Sequence, residues 1–92
     1  MNAVFYDTHA HLDFPDFKDD VAEVVSRAEA AGITRIITIG TTLEGSRRAV
    51  ELADRFPNAY AAVGWHPSHV TEAPDEITSE LQRLASNPKV VA

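Results

Sequence analysis

Two histidines one residue apart, His9-Ala10-His11, stand where an apolar run ends. In extended backbone, residues i and i+2 face the same side. Val4, Phe5, Tyr6 and Thr8 favour a strand from Val4 to about His11, which puts Asp7, His9 and His11 on one face. Two imidazoles projecting together at a strand end can hold one divalent ion between them. Asp7, one pleat below, is placed to bond an imidazole or a nearby backbone group and so to orient the ligands. Asp13 either does the same or forms a turn ahead of Pro15.

A second centre is His66, within Val63-Gly64-Trp65-His66-Pro67. Gly64 lets the backbone turn sharply or approach closely. Pro67 disfavours helical geometry at His66 and fixes its direction. An imidazole held in this way can contact a metal-bound water or donate to a phosphate oxygen. His69 lacks such framing and reads as a surface residue. Trp65 reads as a core or loop anchor, and Arg47 and Arg48 as exposed helix arginines.

The elements that must position these groups alternate along the chain. After the first strand and a turn-rich link, a helix is expected from about Phe17 to Ala31, with Val21, Val24, Val25, Ala28 and Ala31 as its apolar stripe. Gly32 supplies the stop. Ile33 to Ile39 is β-branched and apolar on nearly both faces, the pattern of a buried parallel strand. Thr41 and Glu44 have the spacing of a capping box for a helix reaching Phe56. A third strand is expected at Ala59–Val63, a third helix from about Glu76 to Ser86, and a fourth strand opening at Lys89–Ala92.

The order is therefore βαβαβαβ, which implies a parallel sheet with right-handed crossovers. An open doubly wound sheet and the first half of a (β/α)8 barrel both suit it. In either fold a site forms beyond the carboxyl ends of the strands, where His9, His11, Thr41 and His66 would converge. A barrel needs roughly 250 residues, so these 92 residues would supply four of its strands. The close within an apolar strand predicts a piece of a longer protein.

Composition narrows the chemistry. The formal net charge is −6 and no arginine-rich run occurs, so broad neutralisation of a nucleic-acid backbone is excluded. The chain has no cysteine, which leaves His, Asp and Glu as metal ligands and fits a cytoplasmic protein. The N-terminus lacks a signal-peptide pattern. No apolar run approaches the about 20 residues a membrane helix needs.

Three stretches together resemble a known family. Asp7-Thr8-His9-Ala10-His11-Leu12-Asp13 resembles the first signature of the TatD-type deoxyribonucleases. Gly32 to Thr41 resembles that family's second strand, and Val63-Gly64-Trp65-His66-Pro67 its glycine-x-histidine-proline motif. The resemblance implies a (β/α)8 TIM barrel of the metal-dependent hydrolase class, with two divalent metal ions (Zn, Mn or Mg) and DNA as substrate, cleaved at phosphodiester bonds by a 3′–5′ exonuclease. It implies His9 and His11 as ligands of the first metal and His66 as the contact to substrate phosphate or attacking water. The family's bridging glutamate, later histidines and final aspartate have no counterpart in these residues, so the expectation is an N-terminal fragment that is inactive alone. Two other readings remain. One is a PHP-type or amidohydrolase relative, since those families also begin with paired histidines. The other is a non-catalytic half barrel that self-associates.

Overall fold

The computed structural model describes residues 3–92. Strand β1 (Phe5–Ala10) is followed by a 3-10 turn (Pro15–Phe17), helix α1 (Val21–Ala30), strand β2 (Ile33–Ile39) and helix α2 (Leu43–Arg55). Strand β3 (Ala59–Ala62), a second 3-10 turn (Pro67–Glu72) and helix α3 (Ile77–Ala85) complete the order. The strands lie in sequence order β1-β2-β3, all parallel. The expected fourth strand is reduced to one parallel bridge, Ala61 to Val90. Around that bridge Val91 N–H donates to Ala61 O at 2.9 Å and Val63 N–H to Ala92 O at 3.0 Å.

Helix α1 starts at Val21, the first residue of its apolar stripe, four residues after the expected start at Phe17. Pro15 opens a tighter turn, with Lys18 N–H on Pro15 O and Asp20 N–H on Phe17 O, both at 3.1 Å. Gly32 ends the helix at φ +100°, where a Cβ would lie 2.6 Å from the Ala3 carbonyl oxygen. The N-cap of α2 is Thr42 rather than Thr41: Thr42 Oγ1 accepts from Gly45 N–H at 3.0 Å. Glu44 is then one position too early for a capping box and pairs instead with Arg48 at 2.8 Å.

The helices cover one face of the sheet through two buried clusters. Leu12, Val21, Val25 and Ile36 join α1 to β1 and β2. Ala49, Val50, Ala53 and Ala61 join α2 to β3, with Val63, Leu84 and Val90 packed beside them. A side chain as buried as Ile36 contributes about 2–3 kcal/mol by leaving water. Small alanines let α2 lie close on β3. Lys89 ties the last segment to the end of α2, donating from Nζ to the carbonyls of Ala53 (2.7 Å) and Phe56 (3.1 Å). A cation there also complements the negative end of the helix dipole.

The opposite face of the sheet is bare. Tyr6 and Val91 are more than half exposed on it, and the Arg35 guanidinium lies 5.8 Å from the rings of both Tyr6 and Tyr60. In a closed barrel such a face points inward.

Candidate metal and phosphate site

The first strand is not a plain alternation. Asp7 pairs with Ile36 and Ala10 with Thr38, so β1 advances three residues while β2 advances two. A bulge of this kind re-aims side chains at a strand end. His9 and His11 nevertheless meet, with ring centroids 5.0 Å apart and the planes at 79°. His11 Nδ1 lies 3.1 Å from the Ile39 carbonyl oxygen. A carbonyl only accepts, so Nδ1 carries the proton and Nε2 keeps its lone pair. Metal-bound imidazoles are held in the same manner. Phe14 stacks on the other face of His11, centroids 4.4 Å apart and nearly parallel. The pair of rings therefore suits one cation. Among the described residues no third His, Asp, Glu or Cys joins them in a group able to hold a metal.

Asp7 does not touch an imidazole. Its Oδ1 accepts from the His9 backbone N–H at 3.1 Å, a local bond that fixes the bulge. Asp13 lies in the turn ahead of Pro15 that Phe14 N–H closes on His11 O at 3.2 Å, is buried there, and has no hydrogen-bond partner at Oδ1. Its other oxygen packs against the first turn of α2, where a Cβ on Gly45 would meet it at 3.1 Å. Burial pushes the Asp13 carboxyl above its ordinary value, opposed by Arg48, His11 and Thr38 nearby. Asp13 thus packs the link that carries His11 against α2.

His66 is placed from two directions. Its backbone N–H donates to Thr41 O at 2.7 Å, tying it to the link after β2. The buried Ser46 hydroxyl donates to Gly64 O and accepts from Gly64 N–H, each at 3.1 Å, and so pins the residues just before it. Gly64 itself has open space where a Cβ would stand. The tight glycine is Gly40, whose Cβ would come within 2.5 Å of Ser46 Cα and Oγ. His66 Nδ1 accepts from Ser68 N–H at 3.1 Å, with Ser68 Oγ at 2.8 Å. In the neutral ring the proton is therefore on Nε2, which makes His66 a donor where His11 is an acceptor.

These residues share one cavity of about 320 Å³. His9, His11 and His66 line it with Thr41 and Ser68, and Phe14 and Ile39 form its apolar wall. His69, read as a surface residue, has a side chain 41% exposed and also borders the cavity, carried there by the Pro67–Glu72 turn. Trp65 is an anchor, its Nε1–H donating to the His69 carbonyl at 2.6 Å. Arg47 and Arg48 lie outside this cavity, paired with Glu80 and Glu44. A larger cavity, about 450 Å³, lies between the Pro15–Phe17 turn and α2 and has no histidine in its walls.

A profile of the TatD related DNase family matches residues 6–92. The chain is 35% identical over 89 residues to the metal-dependent hydrolase YabD of Bacillus subtilis, covering 97% of this chain and 35% of that protein. It is 36% identical over 87 residues to the 3′-5′ ssDNA/RNA exonuclease TatD of Cronobacter turicensis, covering 95% and 33%. The crystal structure of the TatD homologue YjjV from Escherichia coli superposes with a TM-score of 0.86 at 38% identity, covering 96% of this chain and 35% of that one. The chain thus spans about a third of the length of these relatives, and its parallel β-α repeats match the N-terminal half of a (β/α)8 barrel. With its three motifs on one rim and this match across nearly its whole length, the chain belongs to the TatD related DNase family.

Proposed function

We propose that residues 1–92 are the N-terminal part of a metal-dependent phosphodiesterase barrel acting on DNA as a 3′–5′ exonuclease, with two divalent ions in the complete site. His9 and His11 hold the first ion, and His66 contacts the substrate phosphate or the attacking water. The observation that carries this reading is the pairing of opposite imidazole states in one cavity: an Nε2 acceptor on His11 and an Nε2–H donor on His66. The names of the relatives support the reaction class and the nucleic-acid substrate.

A bound divalent ion supplies Lewis-acid polarisation of the phosphoryl group and acidification of water. The chain's own residues do the rest. The Ile39 carbonyl fixes the His11 tautomer, Asp7 fixes the backbone of His9, and Ser68 turns His66 so that its N–H is free for a phosphate oxygen. Phe14 excludes water from one side of His11.

Isothermal titration with Zn²⁺ or Mn²⁺ tests the proposal. His11→Asn removes the acceptor and is expected to weaken binding at least tenfold, in line with the loss of a ligand. Unchanged affinity would remove the proposed centre. These residues alone supply two imidazoles, fewer than the three protein ligands usual for catalytic zinc, so they are expected to bind metal weakly and to cleave no DNA.

A second reading rests on the bare sheet face at Tyr6, Tyr60 and Val91. Two copies, each presenting that face, would cover each other's apolar surface. Light scattering distinguishes a discrete dimer, which this reading requires, from a monomer.

A further inference from the structure

We propose that His69 is a second phosphate-contacting imidazole of the same cavity, so that the turn from His66 to His69 grips one phosphate group between two rings. The inference rests on the nuclease reading above and deepens it, since it names the nucleotide phosphate, mono- or diester, as the group recognised there.

The turn provides the geometry. His69 N–H donates to His66 O at 2.9 Å, so the Pro67–Glu72 turn folds back on His66, its extended N-cap, and brings His69 beside it. Both line the 320 Å³ cavity. The ring of His69 is also directed: Glu72 Oε2 lies 3.3 Å from its Nδ1, while the side chain remains 41% exposed. An imidazolium donates from both nitrogens, so Nδ1 can serve Glu72 while Nε2 serves a phosphate oxygen. His66 offers its own Nε2–H because Ser68 N–H occupies its Nδ1. Two such donors match the two non-bridging oxygens of a phosphodiester.

A role as metal ligand does not account for His69. Among the described residues no group of three potential ligands forms, so His69 does not complete a site with His9 and His11. The start of the turn is held by the backbone of His69, through its N–H to His66 and its carbonyl to Trp65 Nε1, which leaves the imidazole to Glu72 and the cavity.

The test is a histidine-selective NMR titration of the protein with thymidine 5′-monophosphate and with dithymidine monophosphate, with chelator present to exclude metal bridging. Ring resonances of His66 and His69 are expected to move together along one saturable curve. His69→Gln is expected to weaken binding roughly tenfold, the size of one charge-assisted contact, and Glu72→Gln by a smaller factor. Circular dichroism is expected to show His69→Gln folded, because the backbone bonds remain. If His66 responds while His69 does not, or if His69→Gln binds as tightly as wild type, the inference fails and the nuclease reading stands. If neither ring responds, both fail.

Discussion

Ser46 offers a stringent check on how the site is held. Its hydroxyl is fully buried and makes two bonds to one residue, donating to Gly64 O and accepting from Gly64 N–H. Ser46→Ala removes both and leaves two backbone groups of a half-buried glycine unpaired. Each neutral hydrogen bond contributes about 0.5–1.5 kcal/mol net, so the pair amounts to about 1–3 kcal/mol. The better helix propensity of alanine within α2 returns up to roughly 0.5 kcal/mol. The expected loss is therefore about 0.5–2.5 kcal/mol, set against the roughly 5–14 kcal/mol available to a chain of this size. Urea denaturation should show a midpoint lowered by about 0.5–2.5 M at unchanged slope, taking a slope of about 1 kcal/mol per M. Amide exchange at Gly64 should accelerate in the same variant. Ser79→Ala, at an exposed hydroxyl, is the control and should change little. A Ser46→Ala midpoint within error of wild type would refute the idea that this hydroxyl positions the segment before His66.

Gly32→Ala should cost about 1–2 kcal/mol in the same assay, because φ +100° disfavours a Cβ and the Ala3 carbonyl oxygen occupies its place. Burial raises the Asp13 carboxyl in the fold above the unfolded 3.8, so the folded state holds its proton to higher pH and stability falls as pH rises from that value through the raised one. Asp13→Asn should abolish that fall, and parallel pH–stability curves for the two proteins would contradict the assignment. Chelation should release the ring resonances of His9 and His11 from any metal-bound positions while leaving the fold intact, since neither ring lies in the buried clusters. Binding of single-stranded DNA should depend weakly on salt, with a log–log slope of about −2 or shallower, because the net charge is −6 and contact is confined to a few imidazoles. A steep slope would reveal a basic surface elsewhere.

Much of this was legible in the residues. Ile33 to Ile39 reads as a buried strand because β-branched residues on both faces leave no amphipathic helix to compete, and β2 has those bounds. His9 and His11 were readable as neighbours because strand geometry is local, and the bulge at their end left them together. Tertiary bonds explain what was missed. Thr41 looked like the N-cap, but its carbonyl accepts from His66 and the helix begins one residue later. Asp13 stands in a turn, as its type and place suggested, but its burial under the first turn of α2 depends on tertiary packing. The role of Ser46 was not readable, because its partner lies 18 residues away. Gly64 suggested a close approach that occurs at Gly40 instead. That His69 borders the cavity was hidden because it depends on the Pro67–Glu72 turn folding back on His66, which strand and helix periodicity do not reveal.

The bare face of the sheet has a consequence for biosynthesis. Because each strand pairs with the one made just before it, β1, β2 and β3 can assemble in order as the nascent chain leaves the ribosome. Until the cylinder closes, their lumenal side is a sticky surface. Arg35, wedged between Tyr6 and Tyr60, puts an obligate charge in the middle of it, and gatekeeper charges of this kind oppose aggregation while a hydrophobic surface waits for its cover.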